Sequence, residues 1–221
     1  MSSRLTPEHR TAAAIVAKLI ERAIKSVGDV LNEFEIEASQ IVVDVFNAEA
    51  SAGELARSLR TFVKVYGRMA YTEGMKEGGI DDPEAEISDA DEAAIDAWVS
   101  QQLGFVDGFA ADAAATRKAD DRPAAQASIL RRLQMWIASL RDIGSQGKAS
   151  ALKNMMVTWV YGDTVEHCAT CSKLEGKRHR LSWFMDRGYL PQQNGSETLE
   201  CGGWNCLCTL VDDGGKVVYP A

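Results

Sequence analysis

From near Pro7 to about Ala50, apolar residues recur at alternating spacings of three and four: Ala17, Ile20, Ile24, Val27, Leu31, Phe34, Ala38, Ile41 and Val45. Such a seam predicts a long helix lying along another helix in coiled-coil fashion. Thr6 suits its N-cap, Pro7 its first position and Glu8 the positive end of its dipole, while Gly28 inside the seam weakens it as one unbroken rod. Ser51 and Glu54 form a capping-box pattern before a second helix. There Leu55, Leu59, Val63, Tyr66 and Ala70 recur until Gly78-Gly79 ends the run. A third helix is expected over roughly Asp89 to Lys118, with Ile95, Trp98, Phe105 and Phe109 on one side. A fourth opens near Pro123, striped by Ile129, Leu133, Trp136, Ile137 and Leu140. Gly144 and Gly147 predict a break before a short helix ending near Asn154.

After residue 155 the pattern changes. Val157-Thr158-Trp159-Val160-Tyr161 is a β-branched and aromatic run that suits a strand, and Gly162-Asp163 suits the turn that closes it. The expected organisation is a helical domain over residues 1–155 and a cysteine-rich module with short strands over 156–221. The fold class is mainly α: a long-helix bundle or stalk followed by a small α+β zinc-binding C-terminal module. The acidic group Asp89, Asp91, Glu92 and Asp96 reads as ordinary electrostatics at a helix N-terminus rather than as catalytic carboxylates.

The bulk numbers narrow the possibilities. Of 221 residues, 46% are hydrophobic, enough for a real core, and no segment is apolar over the roughly 20 residues a membrane span needs. The first residues lack an apolar core with a small-residue cleavage site, so the chain is not expected to enter the secretory route. The net charge is −8, with Lys and Arg interspersed among Asp and Glu, which argues against direct nucleic-acid binding.

All five cysteines lie in the last 54 residues, as Cys168-x2-Cys171 and, 29 residues later, Cys201-x4-Cys206-x-Cys208. Close pairs separated by a loop are the pattern that closes a tetrahedral thiolate site, so a structural zinc ion is expected. Its ligands are expected to be Cys168 and Cys171 with two of Cys201, Cys206 and Cys208. The one-residue gap aims Cys206 and Cys208 to the same face, and Gly202-Gly203 lets the second turn bend sharply. His167 and His179 are possible substitutes but read better as polar surface groups. Three other readings compete. Disulfides are disfavoured by the odd cysteine count, and a redox pair by a CxxC that follows a turn rather than a strand-to-helix junction. Catalytic zinc is disfavoured by the abundance of sulfur over His and carboxylate. The module also has little apolar content of its own, so metal is expected to supply the folding free energy it lacks.

The string Trp159-Val160-Tyr161-Gly162-Asp163-Thr164-Val165-Glu166-His167-Cys168-Ala169-Thr170-Cys171, followed by Leu174-Glu175-Gly176-Lys177, resembles the opening of the C-terminal module of the Mu F-like phage minor head proteins. Leu199-Glu200-Cys201-Gly202-Gly203-Trp204-Asn205-Cys206-Leu207-Cys208-Thr209-Leu210 is similar to that family's ending, and Trp183 and Leu190-Pro191-Gln192 fit the segment between. The resemblance covers about 60 residues and implies a structural head protein of a tailed phage or prophage, associated with portal or major capsid protein and acting in head morphogenesis. It also implies a place in the virion head or neck, reached from the host cytoplasm during assembly. Self-association through the first helix is one use of its seam; internal packing is the other. The rival readings are a zinc hydrolase or toxin-like enzyme and a zinc-ribbon adaptor for a host protein. Against an enzyme, the chain has three histidines and neither an HExxH motif, a phosphate loop nor a nucleophile elbow.

Overall fold

The computed structural model describes residues 26–163, 166–193, 195–204 and 206–220. In chain order the elements are α1 (Val27–Asn47), α2 (Ala52–Glu77), α3 (Pro83–Glu86), α4 (Asp89–Thr116), α5 (Arg122–Ala151), β1 (Met156–Val160), α6 (Ala169–Leu174), β2 (Arg178–Arg180), α7 (Leu181–Met185), β3 (Thr209–Val211) and β4 (Val217–Tyr219). The protein is mainly helical with a small antiparallel sheet near its C-terminus, as expected. It divides into two compact units: residues up to Glu73 with Ile87–Gly144, and Gly74–Glu86 with Ser145 onwards. Among the described residues, no helix is long and apolar enough to cross a membrane.

In the first unit the expected helix from Pro7 is not continuous. Its residues 7–25 lie outside the described ones, and at Ser26 the backbone is extended, with φ −158° and ψ 161°. Ser26 Oγ accepts the Asp29 N–H at 3.2 Å, so α1 starts afresh there as an N-capped helix. Its buried face is Val30, Leu31, Phe34, Ala38, Val42, Val45 and Phe46, wider than the expected seam; Ile41 is only half-buried. The Ser51–Glu54 capping box is formed, with Glu54 Oε2 accepting the Ser51 N–H at 2.7 Å and Ser51 Oγ accepting the Glu54 N–H at 3.2 Å. Leu55, Leu59, Val63, Tyr66 and Ala70 are all fully buried. Phe34, Phe62 and Tyr66 meet edge to face, with centroids 5.7–6.5 Å apart.

Helix α4 departs from expectation at one aromatic. Ile95, Trp98 and Phe109 are buried, but Phe105 is 59% exposed. The buried positions run 95, 98, 102, 106 and 109, a 3.6-residue period that places position 105 a full helical step, 100°, away from Val106. Its acidic start is structural: Asp91 closes a capping box with Ser88 and accepts the Tyr71 hydroxyl at 2.5 Å, and Glu92 receives Arg68 Nη1 at 2.9 Å. Helix α5 runs unbroken through Gly144 and Gly147, contrary to the expected break. Gly144 is there for contact, since a Cβ on it would lie 2.8 Å from Val27 Cγ1 and 3.3 Å from the Ala70 carbonyl. The helix accepts the weaker propensity of glycine in exchange for close packing.

In the second unit, Gly79 (φ +97°) ends α2 in a Schellman arrangement: its N–H donates to the Lys76 carbonyl and that of Ile80 to Met75. The sheet order is β2-β1-β3-β4, all antiparallel, with Val157 opposite His179, Trp159 opposite Leu210 and Leu210 opposite Tyr219. Val157 and Trp159 alternate into a core with Leu174, Leu181, Phe184, Leu190, Leu199, Leu210 and Tyr219. The module therefore has an apolar core of its own, contrary to expectation, and Cys171, Cys206 and Cys208 belong to it.

Two predictions concern the first unit. A Cβ at Gly67 would lie 2.3 Å from the Trp98 ring, which is held by its indole N–H donating to Ser139 Oγ at 2.9 Å. Gly67→Ala is expected to destabilise by ~1–3 kcal/mol despite its better helix propensity, measured by urea denaturation. Burial raises the Asp142 carboxyl to about 6, partly offset by Arg141. A raised carboxyl favours the folded state while protonated, so stability falls as pH rises from about 4 through about 6, by ~1–3 kcal/mol. Asp142→Asn should flatten that part of the pH–stability curve and raise stability at pH 7.

Candidate metal centre

Three chain segments bring the sulfurs together. Cys168 is the N-cap of α6 and Cys171 the third residue of that helix, positions that share one side of a helical start. Cys168 Sγ accepts the Cys171 N–H at 3.4 Å and lies 3.3 Å from Cys171 Sγ. The turn after α6 docks on β1: the Gly176 N–H (φ +72°) donates to the Trp159 carbonyl, and the Trp159 N–H to Lys177, both at 3.0 Å. The helical turn carrying the first pair is thus tied to the buried tryptophan of the sheet.

Cys201 is brought in by its neighbour. Glu200 accepts the Ala169 N–H at 2.7 Å, and its own N–H donates to Thr170 Oγ1 at 3.2 Å, a reciprocal link across 30 residues. Gly202 (φ +61°) and Gly203 (φ +77°) then turn the chain sharply, as expected from the glycine pair. Cys206 and Cys208 sit in an extended stretch before β3; both are buried while Leu207 between them is exposed, so their sulfurs share a face. Gly162 permits the approach of this stretch, because a Cβ there would fall 1.9 Å from the Leu207 carbonyl oxygen. The sequence suggested only a turn at Gly162.

The five cysteines form two groups of three, Cys168-Cys171-Cys201 and Cys171-Cys206-Cys208. Within each, the sulfurs lie within 4.8 Å of one another, and Cys171 belongs to both. No disulfide joins them. Four sulfurs around one tetrahedral zinc ion stand about 3.8 Å apart, given Zn–S bonds near 2.3 Å, so each group has the spacing of part of a metal shell. Both groups can hold a metal ion. Of the two histidines, His167 stacks on Tyr161 with centroids 3.8 Å apart and places Nδ1 4.0 Å from Cys208 Sγ. His179 belongs to neither group and stacks on Trp183 at 4.0 Å. The proximity of His167 to the sulfurs was not foreseen, since adjacency to Cys168 in sequence does not say which way a loop side chain turns.

The thiols act on one another electrostatically. Burial, then sulfur contacts with Cys168 and Cys208 and the charges of Cys206 and Cys208, push the Cys171 thiol far above its usual value. Burial also raises Cys201, reinforced by Cys168. Burial raises Cys168 too, but hydrogen bonds from Cys171 and Cys201 outweigh it and bring this thiol below its ordinary value. One thiolate here makes the next harder to form, and a divalent ion removes that conflict by taking the place of the protons. Comparison with protein-family models, curated proteins and solved structures finds no match to the chain.

Gly162→Ala tests the assembly of the site without touching a sulfur. It is expected to cost ~1–3 kcal/mol in the second unit and to weaken metal retention against a chelator, followed by thermal denaturation and metal analysis.

Proposed function

We propose that the second unit is a structural module locked by zinc, and that the chain is a non-enzymatic minor head protein of a tailed phage or prophage, bound to portal or capsid subunits during head assembly. The observation that carries the metal half of this reading is the convergence of five thiols from three segments on one core. All-sulfur donors suit zinc among the common divalent ions, and a sulfur-closed shell is the mark of a structural rather than a catalytic site. Cys168, Cys171, Cys201, Cys206 and Cys208 supply the candidate ligands. Zinc there would cross-link the α6 turn to the Cys201 turn and the stretch before β3, adding loop constraint to the apolar core around Trp159.

The phage half rests on the resemblance of the strings from Trp159 to Lys177 and from Leu199 to Leu210 to the Mu F-like module.

Purified under reducing conditions, the protein should carry zinc by elemental analysis. Cys171→Ser should lose the metal and become protease-sensitive beyond Trp159 while its helical signal is largely kept. Metal-free protein with four cysteines in disulfides would sink the zinc reading. Co-expression with the portal protein of the same genome should yield a co-purifying complex; portal rings free of the chain would overturn the head-protein reading.

A further inference from the structure

We infer that the cysteine cluster is a two-ion thiolate centre bridged by Cys171, with one divalent ion held by Cys168, Cys171 and Cys201 and the other by Cys171, Cys206 and Cys208. This inference rests on the metal reading above and extends it from one ion to two.

A single tetrahedral ion requires four sulfurs that are all mutual neighbours at about 3.8 Å. The cysteines instead form two groups of three that share one sulfur. That is the connectivity of two metal shells joined at a vertex, and a thiolate has lone pairs enough to bind two ions. Cys171 is the sulfur placed for this. It is 2% exposed and stands between the helical turn that carries Cys168 and the extended stretch that carries Cys206 and Cys208.

Charge points the same way. Four thiolates around one divalent ion, with the fifth cysteine a neutral thiol, leave a net charge of −2 in a site whose Cys171, Cys206 and Cys208 are buried; two ions on five thiolates leave −1. Uncompensated charge in such surroundings is costly, so the second ion relieves a penalty the first leaves in place.

His167 lies beside the second group without joining it. At a tetrahedral zinc ion an imidazole nitrogen and a thiolate sulfur stand about 3.6 Å apart, given Zn–N near 2.0–2.1 Å and Zn–S near 2.3 Å. His167 Nδ1 is 4.0 Å from Cys208 Sγ, with its ring held flat against Tyr161. Among the described residues no histidine or carboxylate joins either group. Cys168 and Cys201 are only half-buried. The ion of the first group is therefore the one a chelator reaches first.

The test is metal stoichiometry on the full-length, reduced, metal-free chain, titrated with zinc and followed by native mass spectrometry, with cobalt(II) absorption as a second readout. Two ions per chain are expected, lost in two steps to a chelator. Cys201→Ser should bind one, and His167→Ala should still bind two. Substituted with cadmium-113, the protein should give two metal resonances, both coupled to the Cys171 β-protons. Saturation at one ion, unchanged by Cys201→Ser, would overturn the two-ion centre and leave the structural-zinc reading standing. No bound metal at all would overturn both.

Discussion

Crowding of sulfur around Cys171 is the constraint on which the C-terminal unit depends. Thiols repel one another once ionised and gain little from being packed together, so their convergence has to be imposed by the backbone. Three devices impose it. The N-cap and third positions of α6 pair Cys168 with Cys171. The reciprocal Glu200 link to Ala169 and Thr170 draws in Cys201. Gly162, with no Cβ, lets the backbone before β3 come close enough for Cys206 and Cys208 to face the same centre. The first is a local preference and the other two are long-range contacts, and their coincidence gathers sulfurs that could hold a metal ion.

The same sulfurs are part of the apolar core. Cys171, Cys206 and Cys208 pack in one cluster with Trp159, Phe184 and Leu210, so a change at the sulfurs is felt by the sheet. The aromatic stack of His179 on Trp183, with the Arg187 guanidinium 4.4 Å from the Trp183 ring, caps the far edge of β2 and α7 with groups that tolerate both water and apolar surface.

At two helical positions of the first unit glycine serves contact rather than flexibility. Gly67 makes room for the Trp98 ring and Gly144 for Val27, and both lie within unbroken helices. Read along the chain, a glycine in a helical stretch looks like a weak point, which is why a break was expected near Gly144. Its tertiary neighbours reverse that meaning, because the loss in propensity is about 1 kcal/mol and the gain is an interhelical contact that no larger residue allows.

What the sequence determined by itself is what local chemistry controls. The Ser51–Glu54 box, the buried stripe from Leu55 to Ala70, the strand at Trp159, the sharp turn at Gly202-Gly203 and the set of five candidate ligands all follow from spacing along one segment. Other features were decided only by tertiary structure, because they depend on which surfaces meet. Phe105 and Val106 differ by one position, and the neighbouring helices settled that Val106 goes inward. The division of the cysteines into two groups sharing Cys171, and the approach of His167 to Cys208, require distances between residues up to 41 positions apart. Spacing within each motif carries no information about such distances, since they are set by how the α6 turn, the Glu200 link and the Gly162 crossing pack against the common core.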